Sequence, residues 1–156
     1  MEALTTLDRA IRLQKVELFS DLDTELLALV ASIAEQIEAN EGVELVEQGG
    51  RLDALYVVLS GRIEMRRSGA IVFTVGPDET IGNWALFDRG PSVVTAVAAQ
   101  DSWLLKIDRE DFFDLLADHA EVSRELFQAL FKRVRSLLAA GLGAGEASTA
   151  SAETGS

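Results

Sequence analysis

The chain has 156 residues, 48% of them hydrophobic, no cysteine and a formal charge of -12. That length and apolar content suit one domain with a real core, and the missing cysteines exclude disulfides, thiol nucleophiles and cysteine metal sites. So acidic a surface repels phosphate backbones and anionic lipid, so neither a nucleic acid nor a membrane is expected as a direct partner.

The single histidine, His119, leaves too few ligands for most zinc chemistry. Two basic clusters, Arg62/Arg66/Arg67 and Lys132/Arg133/Arg135, read as solvated charge, the second also opposing the negative end of a helix dipole. The acidic, amphipathic N-terminus has no signal-peptide pattern, and no uncharged apolar run approaches the roughly 20 residues that span a bilayer. A cytoplasmic location is expected.

Residues 4–16 set Leu4, Leu7 and Ile11 at helical spacing, with Leu18-Phe19 as an apolar anchor before the turn Ser20-Asp21. From Thr24 the spacing of Leu26, Leu29/Val30, Ile33 and Ile37 predicts a second helix, capped by Asp23 or Thr24 and ending near Asn40 to Gly42. The period then falls from about 3.6 to 2, the change from helix to strand. Val43 and Leu45 alternate with Glu44, and the apolar run Leu55-Tyr56-Val57-Val58-Leu59 follows the turn Gln48-Gly49-Gly50. Ile63 and Met65 alternate with charge, Ser68-Gly69 turns the chain into Ile71-Val72-Phe73-Thr74-Val75, and further strands are predicted over 93–98 and 103–107. Short strands at this spacing indicate an antiparallel barrel or jelly roll, an α+β fold with helices at both ends.

Asp108 or Asp111 can cap a helix carrying Phe112, Leu115 and Leu116. After Asp118-His119 a longer helix over 121–138 carries Val122, Leu126/Phe127, Leu130/Phe131, Val134 and Leu137/Leu138. That stripe is wide enough to cover the barrel and a second surface, either a ligand or a partner helix, the latter giving a homodimer through this helix. Residues 141–156, rich in Gly, Ala, Ser and Thr without periodicity, are read as a flexible tail or linker. The domain is accordingly 1–140, with N-terminal helices over about 3–40, a barrel over about 42–107 and C-terminal helices over about 109–139.

One stretch reads as a site: Ile81-Gly82-Asn83-Trp84-Ala85-Leu86-Phe87-Asp88-Arg89-Gly90-Pro91-Ser92-Val93-Val94-Thr95-Ala96. A glycine, a short apolar helical turn, a tight Gly90-Pro91 loop and a β-branched run leave one sheet and enter another, exposing backbone N–H groups suited to an anion. No nucleophile, base pair or metal set accompanies it, so an enzyme is not expected.

The ordered set Glu41-Gly42-Val43, Glu47-Gln48-Gly49 ahead of Leu55-Tyr56-Val57-Val58, Gly61, Gly76-Pro77, Ile81-Gly82, Ala85-Leu86, Pro91, and Leu105-Lys106-Ile107-Asp108-Arg109-Glu110-Asp111-Phe112 resembles the cyclic nucleotide-binding domain family, catabolite activator protein-like sensors included. The resemblance covers about residues 16–138. It implies that the stretch from Ile81 is the phosphate-binding cassette, with a pattern near Phe-Gly-Glu-Leu-Ala-Leu, a short loop, and Pro-Arg-Ser/Thr-Ala. In the family the acid bonds a ribose hydroxyl, the arginine pairs with the cyclic phosphate, and N–H groups of the helical turn cradle that phosphate. Gly82, Ala85, Leu86 and Pro91 match. Asn83 stands in place of the acid, Ser92 in place of the arginine, Val93 in place of the hydroxyl residue and Trp84 in place of a smaller aliphatic one.

A hydrogen bond to a charged group is worth about 1.5–3 kcal/mol, so losing two costs about 3–6 kcal/mol, or a factor of about a hundred to ten thousand in affinity. The expected ligand-binding residues are Gly82, Asn83, Trp84, Ala85, Leu86, Ser92 and Val93, with Arg89 as the cation that can swing in. The expected function is a non-catalytic, ligand-sensing regulatory domain with weakened or altered affinity for cyclic AMP, cyclic GMP or another small anion. The alternative is a ligand-free structural or oligomerisation module within a larger protein. A helix-turn-helix after the long helix would be needed for a DNA-binding regulator of the same type, and residues 141–156 carry no such pattern.

Overall fold

The computed structural model describes the backbone of residues 1–82 and 85–154, and the side chains of those residues up to 141. Two antiparallel four-stranded sheets form a jelly-roll sandwich flanked by helices. In chain order the elements are α1 (Thr6–Gln14), a 3-10 turn (Glu17–Phe19), α2 (Thr24–Ile33), β1 (Ala34–Ala39), β2 (Glu44–Val46), β3 (Ala54–Ser60), β4 (Ile63–Arg67) and β5 (Ala70–Val75). They continue with β6 (Thr80–Ile81), β7 (Thr95–Ala98), β8 (Ser102–Asp108), α3 (Arg109–Asp118) and α4 (Ala120–Thr154). One sheet runs β1-β8-β3-β6 and the other β2-β7-β4-β5.

The run over β3 is continuously apolar because that strand is covered on both faces. Leu55, Val57 and Leu59 join a core with α1, α2, α3 and α4, while Ala54, Tyr56 and Val58 join a second core with Ile63, Met65, Val75, Ala96 and Ala98 of the opposite sheet. Strand β8 divides in the same way, Leu105 and Ile107 to the helices and Leu104 between the sheets. The result is three layers, with the β1-β8-β3-β6 sheet in the middle.

The second helix ends at Ile33, well before the predicted Asn40 to Gly42, and residues 34–39 form β1 instead. Strand β1 pairs along its whole length with β8, from Ala34 opposite Ile107 to Ala39 opposite Ser102. The helical spacing of Ile33 and Ile37 is coincidental: Ala34 packs into the helix-side core and Ala39 into the core between the sheets. In α1 the buried positions are Ala10 and Leu13, whereas Leu7 and Ile11 of the predicted stripe are exposed. Thr5 and Asp8 form a reciprocal capping box that starts α1, and Asp23 accepts from the Leu26 N–H to start α2. Helix α4 runs past the Gly141 boundary drawn from the sequence, and the side chains after 141 lie outside the described residues.

Candidate functional site

The cassette bridges the two sheets, leaving β6 at Ile81 and entering β7 at Thr95. Gly82 sits at φ +88, and a Cβ there would come within 2.7 Å of the Ala54 carbonyl oxygen, so the turn can start here only with glycine. The Ala85 N–H closes the turn on the Gly82 carbonyl at 2.9 Å. Ala85 and Leu86 are buried, Leu86 within the helix-side core, so the turn is anchored by its apolar residues. Phe87 lies edge-on to Phe112 at 5.9 Å, and Phe112 also meets Phe19 and Phe113 at 6.3 Å each. One aromatic hub therefore joins the cassette, the 3-10 turn and α3.

The return half of the cassette is held by backbone pairing. Gly49 N–H donates to the Ser92 carbonyl at 2.8 Å and Ser92 N–H to the Gly50 carbonyl at 2.7 Å, zipping the loop after β2 onto residue 92. Gln48 reinforces the same corner: its N–H donates to Thr95 Oγ1 at 2.8 Å, and its Oε1 accepts from the Ser68 N–H at 2.7 Å. The Ser92 hydroxyl donates to the Val94 carbonyl at 2.6 Å and accepts from the Val94 N–H at 3.3 Å. Its proton is committed to the protein's own backbone.

Of the expected ligand-binding residues, the structure brings Gly82, Ala85 and Leu86 into one turn and sets Ser92 across from the Gly49-Gly50 loop. Val93 is 68% exposed and Arg89 is exposed, with no ion pair of Arg89 among the described residues. Asn83 and Trp84 lie outside the described residues. Asp88 accepts from the Gly90 N–H at 2.9 Å and so fixes the loop beside Arg89. His119 is the C-cap of α3, its N–H donating to the Leu115 carbonyl, and its ring stands 3.5 Å from Glu121.

Sequence reasoning passed over Arg109 as a site residue, although it lies in the motif Asp108-Arg109-Glu110. Its Nη1 donates to the Ala85 carbonyl at 3.3 Å from beneath the cassette. Tyr56, on β3 opposite Ile81, has its hydroxyl pKa raised above the usual tyrosine value by burial and, secondarily, by the Asp108 carboxylate. Among the described residues no group of three or more His, Asp or Glu side chains is placed to hold a metal.

A cleft of about 420 Å³ elsewhere, between the turn before α2 and α4, is lined by Asp21, Asp23, Glu125, Gln128, Ala129 and Lys132, none of them from the cassette.

The profile of the cyclic nucleotide-binding domain matches residues 36–119, which hold the cassette and both sheets apart from the first residues of β1. The chain belongs to the cyclic nucleotide-binding domain family. It is 31% identical over 117 residues to a cAMP-dependent protein kinase regulatory subunit of Yarrowia lipolytica, covering 75% of this chain and 31% of that protein. It is 31% identical over 123 residues to the cyclic AMP receptor protein of Thermus thermophilus, covering 76% of this chain and 57% of that one. The chain thus spans from about a third to little more than half the length of these two relatives. Among solved structures, the N-terminal domain of a transcriptional regulator from Streptomyces coelicolor superposes with a TM-score of 0.75 at 30% identity, covering 81% of this chain and 94% of that one. Among the described residues no helix is long and apolar enough to cross a membrane.

Proposed function

We propose that this chain is a non-catalytic regulatory domain, over residues 1–140, whose cassette keeps the family's backbone turn but binds cyclic nucleotides weakly. The supporting observation is the state of the polar groups that would face a phosphate. The Ser92 hydroxyl is bonded to the Val94 carbonyl, the Ala85 N–H to the Gly82 carbonyl and the Ser92 N–H to the Gly50 carbonyl. A phosphate entering here meets no cation at position 92 and would have to break protein hydrogen bonds to gain its own. Arg89 is the nearest cation in sequence, and a ligand that ordered it would recover part of the missing charge. The candidate ligands are cyclic AMP, cyclic GMP or another small anion, the setting is cytoplasmic, and residues 141–156 serve as a tail or linker.

Calorimetric titration with cyclic AMP, cyclic GMP and adenosine tests this reading. The expected Kd for either cyclic nucleotide is about 0.1–10 mM, a loss of about a hundredfold or more from micromolar binding. Adenosine should bind within about threefold of cyclic AMP, because the phosphate finds no ion pair. A micromolar Kd for a cyclic nucleotide would refute the weakened site, and no heat with any of the three at millimolar concentration would refute nucleotide sensing.

A second reading is favoured by one observation: Phe127, Leu130, Phe131, Val134, Leu137 and Leu138 of α4 are all at least 43% exposed. It makes the chain a ligand-free association module within a larger protein, dimerising through α4.

A further inference from the structure

Strand β5 lies at the edge of its sheet, paired with β4 on one side and with no strand among the described residues on the other. Every residue from Ala70 to Thr74 is exposed, with Ile71, Val72 and Phe73 at 55%, 54% and 54%. Successive strand residues point to opposite faces, so this hairpin shows apolar surface on both faces beside a row of backbone N–H and C=O groups open to pairing. Edges of this kind are commonly guarded by lysine, proline or inward charge, and Ala70-Ile71-Val72-Phe73-Thr74-Val75 contains none of them. Its ladder does carry a bulge: Met65 pairs with Phe73 and Arg66 with Ile71, so Val72 stands opposite no residue of β4.

The hairpin is held ready at its tip. Ser68, at φ 51, donates its N–H to Gln48 Oε1 at 2.7 Å, which fastens the turn to the loop after β2. A strand arriving at β5 therefore meets an edge that needs little further ordering.

Charge selects the occupant. Between Gly61 and Val75 there are three arginines and one carboxylate, in a chain whose formal charge is -12. Glu64 pairs with Arg66, whereas Arg62 and Arg67 have no ion pair among the described residues. Arg67 lies opposite Ala70 in the ladder, and so small a neighbour leaves its guanidinium a path across β5 to a further strand. A second copy of the chain is disfavoured at this edge, because a two-fold pairing of β5 would bring together two cationic hairpins and two strongly acidic bodies.

We propose that the β5 edge docks an extended acidic segment of a partner protein, which adds to the sheet as the next strand beyond β5. Main-chain hydrogen bonds to β5 supply affinity that any strand could use, Ile71 and Phe73 receive apolar side chains, and Arg62 and Arg67 select carboxylates.

The test is an NMR titration of the whole isotope-labelled chain with a capped heptapeptide of alternating glutamate and valine. Two controls accompany it: the same peptide with lysine for glutamate, and one with proline for the central valine, which cannot continue a ladder. The glutamate peptide should shift the amides of residues 70–75, and both controls should bind at least about tenfold more weakly. Arg62→Glu with Arg67→Glu should reverse the charge preference, so that the lysine peptide becomes the tighter ligand. Both positions are exposed, so this variant should melt with the wild type. No shift over 70–75 at about 2 mM glutamate peptide overturns the proposal, as does equal binding of the three peptides. Shifts over 70–75 on diluting the protein alone would give the edge to a second copy and overturn it as well.

Discussion

At the scale of single residues the cassette divides into backbone and charge. Gly82 and Gly50 are held by contacts that no larger residue could make: a Cβ at position 50 would lie 2.9 Å from the Glu47 carbonyl oxygen. The proposed reading takes the charged pair to be absent, with Asn83 and Ser92 at the positions that the resemblance gives to the family's acid and arginine. Restoring both, Asn83→Glu with Ser92→Arg, should tighten cyclic AMP binding by at least about tenfold in a calorimetric titration against the wild type. No gain would mean that the backbone turn is not arranged for phosphate. Tyr56 gives a prediction of different kind. Its raised pKa means that the folded state holds the phenolic proton longer than the unfolded chain. The stability it contributes is present below the unfolded value near 10 and is lost as pH rises towards the folded value. Melting temperatures recorded between pH 8 and pH 11 should fall more steeply at the alkaline end for the wild type than for Tyr56→Phe. Parallel curves would remove Tyr56 from the pH response.

At the scale of elements the sequence was legible wherever period and burial agree. The strands around Leu55, Ile63 and Thr95 and the helix carrying Phe112 fell where pattern and turn chemistry put them, and the caps are the first of each pair of candidates, Asp23 over Thr24 and Asp108 over Asp111. Removing the cap with Asp108→Ala should lower stability by about 1 kcal/mol, read as a shift in the denaturant midpoint, because the Glu110 and Asp111 N–H groups lose their acceptor. An unchanged midpoint would show that water replaces the cap at no cost. The end of α2 was illegible because Ala34 to Ala39 has no β-branched run of its own, and its strand form comes from the ladder with β8, some 70 residues away in the chain. Arg109 was illegible as a site residue for a related reason. In sequence it is one more charge in Asp108-Arg109-Glu110-Asp111, and only the fold places its guanidinium under Ala85. The family was readable through glycine and proline spacing, whereas the inward turn of the Ser92 hydroxyl depends on local backbone geometry that spacing does not encode.

At the scale of the whole molecule, the three-layer build explains why α4 has more apolar surface than the domain uses. Val122, Leu126 and Ala129 are buried, the first two in the helix-side core, while Phe127, Phe131, Val134 and Leu138 of the same helix are exposed at alternating spacings of four, three and four residues. That repeat suits knobs-into-holes packing against another helix, and the body offers it no cover of its own. A second copy of the chain supplies an identical stripe, and a two-fold arrangement would bury both at once. Sedimentation velocity at concentrations from about 1 to 300 μM should therefore show a monomer–dimer shift for the wild type, given that micromolar association corresponds to only about 8 kcal/mol. Leu130→Glu with Val134→Glu should abolish the shift, since paired carboxylates in an apolar seam would be desolvated without partners. Both positions are exposed in the monomer, so the double variant should melt within about 1 kcal/mol of the wild type. A wild type that stays monomeric to the highest concentration would rule out self-association through α4 and leave the stripe to a different occupant.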